Sequence, residues 1–229
     1  MRQIFALFIF FALTNAALDQ LYVQNVYQNG TSTIVKTMDL SIFSKTLTQD
    51  AFSKMQAFCS SCEVDKEHST ITISESFDSG DYYTLKSDYG LPFITHTLTI
   101  NKIPTDRFST SLEKILLGSG AAENIGGNTV SAIDLKDSKN AEGYPLLKAL
   151  SVNITYRVNM PGGIDGAASD AVLLSSSSAQ FDVVEALKEP KTITIVSREL
   201  NLGYIIGLIG IIVLAALAAS FVISKPAKK

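Results

Sequence analysis

Leu202 to Ile223 reads LGYIIGLIGIIVLAALAASFVI, 22 residues without a charge, and this run constrains the chain more than any other feature. At ~1.5 Å per residue a helix of this length reaches about 33 Å, enough to cross the ~30 Å hydrocarbon core of a bilayer. In lipid each backbone N–H and C=O must be satisfied inside the segment. One segment cannot close a barrel, so a transmembrane helix is the expectation, with a buried helix of a soluble core as the alternative.

The flanks set an orientation. Lys225, Lys228 and Lys229 follow the run with no acid among them, and lysine-rich flanks stay cytoplasmic. At the other end, MRQIFALFIFFALTNA has the layout of a secretory signal peptide. Arg2 supplies the positive region, Ile4 to Leu13 the apolar region, and Thr14 and Ala16 the small residues before a cleavage point. The expected organisation is a signal peptide over 1–16, an extracytoplasmic domain over 17–201, the span over 202–223 and a cytoplasmic tail over 224–229. The location is a cell membrane, crossed once. The tail, SKPAKK, is too short to fold and is suited to touching anionic headgroups.

Composition matters through its distribution. Four of the 19 basic residues (Arg2, Lys225, Lys228, Lys229) and none of the 22 acidic ones lie in these end segments. The exported part therefore carries 15 basic against 22 acidic residues, a formal −7. That sign excludes nucleic acid as the natural partner, because phosphates need a basic footprint. A chain of about 185 residues buries enough surface to fold without a dense disulfide framework.

The domain alternates like a sheet protein. LYVQNVYQ and TSTIVKTMDLSIF read as strands around Asn29-Gly30, a dipeptide suited to a type I′ turn. Thr46 to Phe58 reads as a helix. Thr46 and Gln49 have capping-box spacing, and Leu47, Phe52, Met55 and Phe58 form an apolar stripe that would pack across the hairpin. Strands follow at STITISESF, YYTLKSDYG and FITHTLTINKI, the first two separated by an Asp78–Asp81 turn. A short helix over Thr110 to Leu117 takes Thr110 and Glu113 as its capping pair and Gly118 as its stop. Residues 118–144 are glycine-rich and read as a surface excursion, with TVSAIDL its one strand candidate. LLKALSVNITYRVNMPG, AVLL, QFDVV and KTITIVSREL complete the set, with Ser175 to Ser178 as a polar turn. The fold class expected is α+β, mostly antiparallel sheet with one or two packed helices, plus the C-terminal span.

Cys59-Ser60-Ser61-Cys62 is the sharpest chemical feature. In an oxidising compartment a structural disulfide is the default. Thiol–disulfide exchange and a metal site are the alternatives. Exchange needs a stabilised thiolate, usually at the positive N-terminal end of a helix, whereas this pair follows the expected helix. His68 and His96 are the only histidines. With the two cysteines they would supply four zinc ligands, but their spacing fits no zinc module, and His96 reads as an outward-facing residue of a strand. Asp78, Asp81 and Asp88 bracket a turn without the alternation of a calcium loop. No Gly-x-Ser-x-Gly elbow and no phosphate-binding glycine pattern occurs. No catalytic residue, metal or cofactor is expected.

Asn29-Gly30-Thr31 and Asn153-Ile154-Thr155 are glycosylation sequons, with Asn29 the better placed at a hairpin tip. Gly203 and Gly207 form a Gly-x-x-x-Gly pair that would let the span pack against a second copy or a membrane partner. Ala215 and Ala219 repeat the small-residue spacing.

Tyr156 to Leu174, YRVNMPGGIDGAASDAVLL, resembles the closing part of the LppM-like domain of bacterial and archaeal envelope proteins. Members of that family typically show a strand, a Met-Pro-Gly turn, an apolar residue, a small-residue stretch, another strand and a C-terminal membrane helix. In layout the resemblance covers Leu21 to Ile223, and in residues Met160, Pro161 and Gly162 with their flanks. The chain lacks the cysteine that many members carry after the signal peptide, and it has no tryptophan. The resemblance implies an envelope domain that contacts lipid or glycolipid, with Met160, Pro161 and Gly162 shaping part of that site. It carries over no catalytic residue.

The functional expectation is thus a non-enzymatic, membrane-anchored domain that binds a lipid or glycolipid at the membrane surface. An adhesion or assembly protein acting through protein contacts is the second reading. A thiol-redox accessory protein is the third.

Overall fold

The computed structural model describes residues 19–39, 49–58, 62–80, 82–118, 133–134, 153–167, 171–189 and 192–223. The chain is α+β. Its sheets are mostly antiparallel, and among the described residues four helices accompany them.

Seven strands make the larger sheet. They are β1 (Asp19–Val26), β2 (Ser32–Asp39), β3 (Cys62–Asp65), β4 (Thr70–Phe77), β9 (Asn153–Asn159), β11 (Val172–Ser175) and β12 (Ser178–Asp182), in the order β11-β12-β9-β1-β2-β4-β3. Among the described strands of this sheet, only the β1–β9 pair is parallel. The second sheet is antiparallel throughout, with β10 (Gly163–Ala167), β13 (Ile193–Leu200), β6 (Phe93–Ile100) and β5 (Tyr83–Tyr89) in that order. A third pairing joins β7 (Lys102–Ile103) to β8 (Ile133–Asp134). Strand β8 lies inside the TVSAIDL candidate; Gly118 is the last residue of the Thr105–Gly118 helix, and the rest of the glycine-rich excursion is outside the described residues.

Period-2 alternation places the core. Tyr22, Ile34, Ile71, Ile73, Tyr156, Val158 and Phe181 all point to one face of the larger sheet and are buried there. From the second sheet, Leu98, Ile100, Ile193 and Ile195 join the same cluster. Helix α1 (Gln49–Phe58) lies against α2 (Thr105–Gly118) and β3. Phe108 of α2 meets the Tyr22 ring edge-on at 5.6 Å, which seats that helix over the larger sheet.

Several expectations change in detail. The β1–β2 connection is not a two-residue type I′ turn. Tyr27 N–H donates to Thr31 O, Gly30 N–H donates to Tyr27 O, and Gly30 alone takes a positive φ, +90°. That is a longer loop closed by glycine, which suits the strand twist equally well. In α1, Phe52 and Met55 are buried but Phe58 faces solvent at the helix end. Residues 46–48 and Leu47 lie outside the described set. Helix α2 begins five residues before the expected Thr110. The Thr110 hydroxyl donates to the Asp106 carbonyl within the helix, so it is not a cap. Val183 and Val184 leave the strand pattern and form the first turn of a short helix, α3 (Val183–Ala186). Asp182 caps it by accepting from the N–H groups of Val184 and Glu185.

The fourth helix, α4 (Leu202–Ile223), covers the uncharged run. Leu202–Ser220 is long and apolar enough to cross a membrane, with none of it buried against the rest of the chain.

Candidate functional site

Three polar clusters and one joint are the chemically distinctive parts of the described structure. The first cluster is a shallow cavity of about 430 Å³, lined by Ser76, Phe77, Asp78, Gly80, Tyr82, Lys102 and Arg107. Lys102 Nζ sits 4.9 Å above the Tyr82 ring, and the Arg107 guanidinium 5.7 Å above Phe77. Arg107 Nε also pairs with Glu75 at 3.2 Å, and the Tyr82 hydroxyl donates to the Asp106 carboxylate. Cations and acids balance here, so the cavity lacks the uncompensated charge of an anion site.

The second cluster lies inside the larger sheet. Tyr156 Oη donates to Gln24 Oε1 at 3.0 Å, and Gln24 Nε2 donates to Ser32 Oγ at 3.1 Å. Lys36 belongs to the same face and is only 4% exposed. Its ammonium sits 5.1 Å from the centre of the Tyr22 ring. Burial lowers its pKa from the usual range to about 8. Burial also holds the Tyr22 and Tyr156 hydroxyls well above the ordinary tyrosine value.

The third cluster belongs to the four-stranded sheet. The ladder aligns Ser87 with His96 and His96 with Ser197. His96 is 1% exposed, which corrects the outward-facing expectation. It shares strand parity with Ile94, Leu98 and Ile100, so it must face where they face. Its Nδ1 lies 2.8 Å from Ser87 Oγ and its Nε2 3.2 Å from Glu199 Oε1. The other Glu199 oxygen accepts from Gln28 Nε2 at 2.8 Å, and Ser197 Oγ donates to Pro161 O at 2.8 Å. Serine, histidine and carboxylate in a row resemble a hydrolase relay. However, Ser87 lies inside a strand rather than on the sharp turn that exposes a nucleophile. What the row does in this geometry is tie β5, β6 and β13 to the β1–β2 loop.

The joint follows directly. Strand β13 ends at Leu200 and α4 starts at Leu202, so one residue separates the sheet from the apolar helix. Asn201 occupies it. Its side-chain oxygen accepts from Tyr204 N–H at 3.1 Å, capping the helix. Its backbone N–H donates to Pro92 O at 2.9 Å, and its Nδ2 reaches Gly90 O at 3.4 Å. The β5–β6 tip is thereby fastened beside the first helical turn.

The sequence-derived candidates scatter over this framework. Met160 is buried, and Pro161 and Gly162 carry the chain from β9 in one sheet to β10 in the other. Gly162 takes φ +78°, and a Cβ there would collide with the Arg198 carbonyl. These three residues are therefore used by packing between sheets, and they do not line the cavity. Cys62 is disulfide-bonded, and Cys59, the chain's other cysteine, lies outside the described residues. Helix α1 ends at Phe58, so the pair follows a helix C-terminus, where the dipole does not favour a thiolate. His68 is exposed in the β3–β4 turn, 2.7 Å from Asp65. Its hydrogen bond holds the Asp65 carboxyl below the ordinary range. Among the described residues no three His, Cys, Asp or Glu side chains gather around a point. Asn29 is exposed, its Oδ1 accepting from Thr31 N–H and hydroxyl, and Asn153 is exposed at the start of β9. Gly203 and Gly207 lie on α4, with open space around Gly207.

Sequence reasoning missed Lys36, the inward His96 and Asn201. Parity was the available signal for the first two. A lone asparagine before an apolar run was the signal for the third. Comparison with protein-family models, curated proteins and solved structures finds no match to this chain.

Proposed function

We propose that the chain is a single-pass membrane protein whose extracytoplasmic α+β domain is a non-enzymatic module binding a lipid or glycolipid at the surface of its own membrane. The observation that carries this reading is the Asn201 joint. With one residue between β13 and the apolar helix, and with Asn201 bonded to both the β5–β6 tip and the helix, the domain has a fixed end facing the bilayer. A flexible tether would let a domain reach distant partners; a one-residue joint holds it against the lipid surface. The likeness of the Met160–Gly162 region to LppM-like domains favours the same ligand class.

Native mass spectrometry of the full-length protein, extracted from membranes in mild detergent, tests the ligand. The expected result is a co-purifying mass in the lipid or glycolipid range that persists through delipidation. A bare chain mass overturns the ligand reading and favours the second one, an adhesion or assembly protein. One observation supports that second reading: among the described strands β11 is the edge of the seven-stranded sheet, and Val172, Leu173 and Leu174 on it are exposed. An exposed apolar edge strand is a template for pairing with another chain.

A further inference from the structure

The β5–β6 connection differs from the other described hairpin turns. Those are mainly polar: Tyr27-Gln28-Asn29-Gly30-Thr31 joins β1 to β2 with Tyr27 as its one exposed aromatic, Lys66-Glu67-His68-Ser69 joins β3 to β4, and Ser176-Ser177 joins β11 to β12. The β5–β6 tip reads Tyr89-Gly90-Leu91-Pro92-Phe93 and has no charge. Tyr89 is 68% exposed, Leu91 67% and Phe93 44%. Phe93 pairs with Leu200 across the ladder, and Leu200 is exposed as well.

Single exposed apolar residues are ordinary on a soluble surface, but a contiguous apolar patch marks an interaction site. This patch is continuous with α4. Leu202 and Tyr204, in the first turn of the helix, are exposed beside it. Asn201 binds the carbonyls of Gly90 and Pro92 and caps that same turn. The tip cannot leave the helix start without breaking those bonds. If the helix enters lipid at Leu202, the tip lies at the depth of its first turn, inside the interfacial layer. That layer is several ångströms thick on each side, roughly half the difference between the ~40–45 Å bilayer and its ~30 Å core. Tyrosine and other aromatic rings favour this layer, where an apolar body and a polar end are both accommodated.

We propose that the Tyr89–Phe93 tip inserts into the outer interface of the membrane that α4 crosses. It is a second membrane contact beside the span, and its partner is the acyl–headgroup boundary of a bilayer. It fixes both height and rotation of the domain, because a helix alone leaves rotation about its axis free, whereas a helix and an adjacent wedge do not. The far end of β6, at Ile100, is about 23 Å along the strand from Phe93, at ~3.3 Å per residue. Lys102, which lines the cavity, follows that end of β6. The inference rests on α4 being a membrane span, as proposed above.

The absence of tryptophan from the chain makes a direct test available. Three single-tryptophan variants of the full-length protein, L91W at the tip, L214W in mid-helix and D78W at the far end of the domain, are reconstituted in phosphatidylcholine–phosphatidylglycerol vesicles with brominated acyl chains. The expected result is strong bromine quenching for L214W, intermediate quenching with a blue-shifted emission for L91W, and none for D78W. L91W behaving like D78W while L214W is quenched overturns tip insertion and leaves the span intact. L214W escaping quenching overturns the span, and the tip proposal with it.

Discussion

Lys36 in the larger sheet and His96 in the smaller one are buried to nearly the same degree, yet they are treated in opposite ways. Both sit in mid-strand with apolar neighbours at i ± 2: Ile34 and Met38 flank Lys36, and Ile94 and Leu98 flank His96. His96 has an acceptor or donor at each ring nitrogen, and its Glu199 partner is anchored in turn by Gln28. Lys36 has the face of Tyr22 and a lowered pKa. The difference shows that burial alone does not classify a polar residue. One group is satisfied and holds three strands in register. The other pays for its enclosure by easier loss of its proton.

The largest expected effect lies where the two sheets meet. G162A forces an alanine into a left-handed backbone and drives its Cβ into the Arg198 carbonyl. It should cost about 3 kcal/mol or more, read as a fall in the midpoint of chemical unfolding. A smaller loss would mean that the β9–β10 crossing yields easily, and that Lys36 and His96 do not share one rigid framework.

H96A should cost about 2–3 kcal/mol, because it creates a void and leaves Ser87 and Glu199 without their shared partner. A loss under about 0.5 kcal/mol would mean that the row is not a structural tie.

K36M should act in the other direction. A shift from 10.5 to about 8 places the cost of keeping the buried ammonium charged on the order of 3 kcal/mol, at ~1.4 kcal/mol per pH unit. Methionine keeps the length and removes the charge, so a gain of about 2 kcal/mol at pH 7 is expected. The pH dependence identifies the cause. Between pH 8 and 10 the folded chain has released the Lys36 proton and the unfolded chain still holds it, so wild-type stability should rise with pH. Above about pH 10 the tyrosines of the unfolded chain ionise while buried Tyr22 and Tyr156 stay protonated, and stability should fall again. K36M should lack the rise and keep the fall. Identical profiles for the two proteins would show that Lys36 stays charged in the folded state.

Much of the secondary structure was legible because it depends on local pattern. The alternation of Ser32–Asp39, Thr70–Phe77 and Asn153–Asn159 needs only period 2 to be recognised. Strand β10 was not legible, since Gly163-Ile164-Asp165-Gly166-Ala167 has neither β propensity nor clean alternation and is held by pairing with β13. Val183 and Val184 read as strand by propensity but are helical, because the Asp182 side chain caps them. The site was less legible than the fold. Parity shows that His96 faces inward, but Ser87, Glu199 and Gln28 come from three different segments, and no spacing announces that they meet.

By itself the sequence determined the class of chain, an alternating α+β domain followed by an uncharged 22-residue run, because composition and periodicity are properties of neighbouring residues. Only the tertiary structure decided that Lys36 lies over a ring, that His96 ties three strands, and that an apolar hairpin tip is fastened at the mouth of that helix. Those facts depend on which strands pair and on how two sheets cross at Gly162, and such long-range contacts leave no periodic trace along the chain.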